Sequence, residues 1–176
     1  MDQKDLTLFE MDDIGIGASR DLIRRWHRNG RCRYAITVRF AITSSEAQLD
    51  GAGQLAAEHP DCLVQTHLSE SRAELRSVGS LFPWARDYTD VYDRYGLVGP
   101  RSLFGHGLYL GERERARLSE VGASIIHCPT SNTFLGSGIF DFAGLSTGRS
   151  PVTIGLASDI GGGTRYSMLE TMAEAY

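Results

Sequence analysis

The amino-acid sequence predicts an α/β fold with a parallel sheet, and two observations carry that expectation. Five short apolar, β-branched runs recur along the chain, and stretches with helical spacing separate most of them. Parallel neighbours need crossover connections, which such helices supply. The runs cover residues 34–43, 63–67, 102–106, 123–128 and 152–159, and each reads as a buried strand. Before the first run, Leu22, Ile23 and Trp26 follow a possible cap at Ser19, with Gly30 placed to end the helix. A second helix follows Ser45. Residues 112–121 read as a charged surface helix with Leu118 and Val121 inward, and Met168, Leu169, Met172 and Tyr176 repeat at helical spacing after Ser167. Residues 71–100 read as a long connection whose Trp84, Tyr88, Tyr92 and Tyr95 pack over one strand end or only on the surface.

Size and composition narrow the function classes. A chain of 176 residues can bury one sizeable core. It falls well short of the ~250 residues of an ordinary eight-stranded α/β barrel. Hydrophobic residues make up 41% of the chain, yet no uninterrupted apolar run approaches the ~18 residues of a membrane span, so no membrane partner is expected. The formal charge of -4, with acids and bases interleaved, leaves no basic stripe to follow a phosphate backbone. Nucleic acid is therefore not expected either, and a small-molecule substrate is. Cys32, Cys62 and Cys128 are odd in number and scattered, which suggests a reducing compartment rather than a disulfide framework. The opening MDQKDLTLFEMDD has acids where a secretion signal needs a basic start and an apolar stretch, so a cytoplasmic location is expected.

Parallel α/β barrels keep their working groups at the carboxyl ends of strands. His67 ends the run LVQTH, His106 ends SLFGH and Asp159 ends VTIGLASD, while Arg39 and Phe40 fall within the run before Thr43. One histidine at a strand end is more often structural than a ligand. Two histidines and an aspartate at corresponding ends match the nitrogen and oxygen ligands of a catalytic zinc. Glu70, three residues beyond His67, suits a proton shuttle, or equally a helix-start acid favoured by the helix dipole. The DIGGGT segment lacks the pattern of a phosphate loop, so its glycines read as letting the backbone pass the site closely. At most one of His127 and Cys128 can face the cavity, because adjacent strand residues point to opposite faces. His27 and His59 lie near helix ends and read as solvated.

At QTHLSES, DYTDVYDRYGLVGP, GHG, HCPTSN, FLGSGIFD and SDIGGGTRYSMLE the sequence resembles the guanine deaminase family of the amidohydrolase superfamily, from about Asp21 onward. The resemblance implies a partial (β/α)8 TIM-type barrel comprising roughly strands four to eight. It implies His67 and Asp159 as zinc ligands, Glu70 as the proton shuttle and His106 as the group orienting the attacking water. Arg39 and Phe40 would hold the purine, and Asp159 would also accept a proton from the water. In that family zinc-activated water converts guanine to xanthine and ammonia.

Departures from the family pattern set further expectations. No His-x-His pair exists in the sequence, although the family's first barrel strand carries one that supplies two more zinc ligands. Residues 1–18 match nothing in the family pattern, which leaves 19–176 as an incomplete barrel domain. Its open edges imply association, either as a homo-oligomer or with a complementing amino-terminal half. The alternatives are another zinc-dependent purine or pyrimidine deaminase, a triazine-type hydrolase, or a catalytically silent half-barrel.

Overall fold

A computed structural model describes residues 12–176 of the chain. Five strands form one sheet: β1 (Ala35–Thr37), β2 (Leu63–Leu68), β3 (Ser102–His106), β4 (Ser124–His127) and β5 (Thr153–Leu156). Every adjacent pair is parallel, and the order across the sheet follows the order in the chain. Alternation along the strands splits the two faces. Val64, Thr66, Leu68, Phe104 and Ile125 are buried beneath the helices, while Gln65, His67, Leu103, Gly105 and Ile126 are more open and line a common cavity.

The expected strands at 34–43 and 152–159 are shorter than their apolar runs. β1 stops at Thr37, and residues 41–43 close instead as a 3₁₀ turn, so Arg39 and Phe40 stand beyond the strand rather than within it. Asp159 likewise lies three residues past the end of β5.

Helix α1 (Asp12–Trp26) begins before the expected Ser19 cap, which sits in its interior. Of the segment 1–18, residues 1–11 lie outside those described. Only Ile23 of the expected apolar trio is buried, with Leu22 and Trp26 both exposed. The helix packs on α2 (Glu46–Glu58) through Ile16, which faces Gly51: a Cβ there would lie 2.8 Å from the Ile16 side chain. Arg20 adds a two-pronged ion pair to Glu58, both bonds 3.1 Å. Ser45 caps α2 as expected, its side chain accepting from the Gln48 amide.

The segment 71–100 is a pair of helices, α3 (Arg72–Leu81) and α4 (Tyr88–Arg94), not an irregular connection. Its start signal is a capping box, in which Ser71 accepts from Glu74 N–H and the Glu74 carboxylate accepts from Ser71 N–H. Asp87 caps α4 in the same way through Asp90 N–H. Tyr88 and Tyr92, four residues apart on α4, stack at 5.4 Å and are fully buried, whereas Trp84 stays at the surface.

Helix α5 (Glu112–Val121) buries Leu118 and ends at Gly122 in the left-handed conformation, φ 72°. Two short helices, α6 (Pro129–Phe134) and α7 (Phe142–Thr147), flank the loop between β4 and β5. Helix α8 (Met168–Ala175) has its Ser167 cap, but Met168, Leu169, Met172 and Tyr176 are all exposed. No helix among the described residues is long and apolar enough to cross a membrane.

Candidate metal centre and substrate site

The backbone turns sharply where the strands hand over to their loops. Among the described residues four that are not glycine have positive φ, and three of them, Ser69 (52°), His106 (73°) and Asp159 (48°), stand at or just beyond strand carboxyl ends. Such conformations cost on the order of 1–3 kcal/mol each and persist only where surrounding structure enforces them. Here they turn the chain so that side chains from separate strands converge.

His67, His106 and Asp159 each offer a ligand atom, and these atoms all lie within 4.8 Å of one another. They line a cavity of about 340 Å³ with Gln65, Leu103, Ile126 and Cys128. The His67 imidazole and the Asp159 carboxylate are nitrogen and oxygen donors of the kind that suit zinc. His67 is oriented for the purpose: its Nδ1–H donates to the Arg39 carbonyl at 2.7 Å, which leaves the Nε2 lone pair available. The His106 ring lies 4.9 Å from that of His67, and its Nδ1 is 3.0 Å from the Asn132 amide nitrogen. With the amide donating, the His106 proton sits on Nε2, which faces the Glu70 carboxylate at 3.6 Å. Burial holds the His106 imidazole below its usual pKa range, against the pull of Glu70.

Glu70 is neither in α3 nor its cap; it precedes Ser71, which does the capping. Its Oε1 accepts from Ser137 Oγ at 3.1 Å, tying the loop after β4 to the end of β2. The Tyr109 hydroxyl donates to the Ser137 carbonyl at 2.6 Å and steadies the same loop. The glycine-rich segment passes close to the site, as expected from its composition. A Cβ on Gly162 would lie 2.8 Å from Asp159 Oδ2, and one on Gly163 would collide with the Ser158 carbonyl.

The two candidate recognition residues are placed differently from each other. The Phe40 ring lies 5.6 Å from the His67 ring. The Arg39 guanidinium is exposed and covers the outer side of Phe40 at 4.6 Å, so it is the Arg39 carbonyl that touches the centre directly.

Cys128 lines the cavity, and burial pushes its thiol up to about 12, leaving it a neutral wall group. His127 points away, stacked at 4.2 Å on Phe140 beside a separate outer cavity of about 570 Å³. His27 is not solvated: its Nδ1 accepts from Tyr34 N–H and its Nε2–H donates to Asp61, both at 3.0 Å. With both nitrogens engaged, the nearby cluster of His27, Asp61 and Cys62 is a structural clamp below the strands. Sequence reasoning left Tyr92, Asn132 and Ser137 without roles, although Asn132 and Ser137 lie in the HCPTSN and FLGSG motifs.

A parallel sheet with nitrogen and oxygen donors converging past its strand ends defines an α/β protein of the barrel type with a candidate metal centre at those ends. The amidohydrolase family model matches residues 16–176, and the chain belongs to that family, whose members generally depend on a metal. It is 49% identical over 158 residues to the guanine deaminase of Escherichia coli, a match covering 90% of this chain and 36% of that protein. The guanine deaminase structure from Bradyrhizobium japonicum superposes with a TM-score of 0.91 at 41% identity, covering 94% of this chain and 36% of the other. A guanine deaminase structure from C. acetobutylicum with guanine bound in its active site gives a TM-score of 0.86 at 30% identity, covering 93% and 39%. The chain thus spans little more than a third of each of these three relatives.

Proposed function

We propose that the chain supplies the later strands of the barrel of a guanine deaminase, an enzyme hydrolysing a C–N bond to convert guanine and water into xanthine and ammonia. The observation that carries this reading is the convergence of His67, His106 and Asp159 donor atoms within 4.8 Å, with Glu70 beside His106. Identity to the guanine deaminases named above favours guanine over another purine, a pyrimidine or a triazine.

His67 and Asp159 would hold zinc, which when bound supplies Lewis-acid activation of water at neutral pH. His106, carrying its proton on Nε2, orients the attacking water by donation. Glu70 takes a proton from that water and delivers it to a purine ring nitrogen, where it stays in xanthine, and the water's second proton passes to the amine, which leaves as ammonia while the carbonyl forms. Ser137 steadies the carboxylate from the far side. Asp159 is a second acceptor for a water proton. Phe40 contacts the base, and the Arg39 guanidinium, turning off the Phe40 ring, reaches a ring carbonyl.

With two ligands in this chain and the family's His-x-His pair outside it, the chain alone should deaminate guanine little or not at all. Open edges at β1 and β5 support association, with a complementing half or with further copies of the chain. Adding an amino-terminal portion of a relative that carries His-x-His should restore xanthine formation, and Glu70→Gln should lower the restored rate by ~10²–10⁴-fold. Strong zinc-dependent turnover by the isolated chain would overturn the fragment reading. A restored rate indifferent to Glu70→Gln would overturn the mechanism.

A further inference from the structure

The hydroxyl of Tyr92 is completely buried beneath the candidate centre, on α4, an element that contributes no side chain to the cavity. It lies 3.0 Å from Ala41 N–H, 3.0 Å from Thr66 Oγ1, 2.9 Å from the His67 carbonyl and 3.3 Å from the Tyr88 hydroxyl. A phenol has one proton and two lone pairs. The His67 carbonyl can only accept and Ala41 N–H can only donate, so the proton goes to His67 and one lone pair takes Ala41. The second lone pair takes the Thr66 hydroxyl.

These bonds close a ring of contacts around Phe40. At one end, the Arg39 carbonyl accepts from His67 N–H at 3.1 Å and from His67 Nδ1–H at 2.7 Å. At the other end, Ala41 is held to the His67 carbonyl through the Tyr92 hydroxyl. The regular β1–β2 ladder ends at the Thr37 and Gln65 pair, so residues 39–41 depend on these bonds for their register. We propose that Tyr92 is a positioning residue: its hydroxyl sets the 39–41 segment against the end of β2, and thereby fixes the ring orientation of His67 and the placement of Phe40. The metal-ligand role of His67 comes from the function proposed above; the ring orientation does not depend on it.

Tyr88→Phe is the matched control, since it removes a buried hydroxyl from the same helix and the same aromatic stack while leaving the Tyr92 bonds to Ala41, Thr66 and His67 in place. Both variants are read in the full chain by nitrogen-15 NMR of the His67 ring and by cobalt(II) titration, corrected for folded fraction. Tyr92→Phe should speed exchange of the His67 Nδ1–H with water at least 10-fold and weaken cobalt about 10-fold, the usual scale for losing an outer partner of a ligand. Tyr88→Phe should leave both within about twofold. A His67 signal unchanged in Tyr92→Phe, or equally changed in both variants, overturns the proposal. If the wild-type chain takes up no cobalt, the metal reading fails while the His67 signal still decides the role of Tyr92. Should Tyr92→Phe not fold, the wild-type chain decides: a slowly exchanging Tyr92 hydroxyl proton with cross-peaks to the Ala41 amide is expected, and its absence overturns the assignment.

Discussion

The Nδ1 of His67 lies 2.7 Å from the carbonyl oxygen of Arg39, so a backbone group of the recognition pair decides which nitrogen of the candidate ligand is left free. The Arg39 side chain takes no part in that bond. In the function proposed above, backbone and side chain of one residue would serve the two halves of the site separately.

Arg39→Ala should accordingly leave cobalt affinity within about twofold, because the carbonyl remains. In a complemented enzyme the same change should weaken guanine far more than a purine lacking the ring carbonyl, since a site built to bond that group discriminates through it. Comparing kcat/KM for the two purines is the measurement. Equal losses would remove the guanidinium from recognition.

Ser137→Ala removes the donor to Glu70 Oε1 while leaving the loop's Tyr109 bond to the Ser137 carbonyl in place. The restored deamination rate should fall about 10-fold, the worth of one hydrogen bond to a charged group. That is smaller than the loss expected from Glu70→Gln. A rate unchanged by Ser137→Ala would show that Glu70 is held without it.

Glu114 is buried at the start of α5, where Oε1 accepts from both the amide and the hydroxyl of Thr89, and Oε2 accepts from Gly111 N–H at 2.8 Å. Burial raises its pKa, yet every partner it has is a donor. Glu114→Gln must turn its amide NH₂ against one of them. A loss of about 1–3 kcal/mol in urea unfolding is expected, with helices α4 and α5 loosening together.

Acid should destabilise the fold in part through His127. Burial lowers its pKa, and its Nδ1 has no partner among the described residues. The unfolded chain binds a proton near pH 6.5, whereas the folded chain resists it until lower pH, so stability falls as pH drops through that window. His106 shifts in the same direction. His127→Phe keeps a flat ring against Phe140 and cannot titrate. Urea midpoints at pH 7.5 and 5.5 should differ less in this variant than in the wild type; an identical difference would clear His127.

The sheet was legible in the sequence because its strands are short β-branched runs bounded by polar residues, and His67, His106 and Asp159 were legible because they close such runs. The ends of β1 and β5 were not. Val38, Phe40, Ala41 and Ile42 continue the apolar run of β1, and Ala157 that of β5, yet the backbone leaves the ladder there and brings Arg39 and Asp159 to the centre. Helices α3 and α4 were hidden by Gly79, Pro83 and the aromatic cluster, although the capping box at Ser71 and Glu74 was present to mark the first. His27 looked solvated because position near a helix end says nothing of a partner 34 residues away. Tyr92 bonds through its hydroxyl to backbone atoms of Ala41 and His67 and to the Thr66 hydroxyl, a relationship that only the folded chain makes.

The agreement between strand order and chain order has a consequence for how the molecule is made. Each strand docks on the one synthesised just before it, so no strand waits for a distant partner and loop closure stays short. As the chain leaves the ribosome, the sheet can grow one edge at a time. In that sequence His67 is set against Arg39 before β3 is complete, and Asp159 reaches His67, Glu70 and His106 after all three are in place.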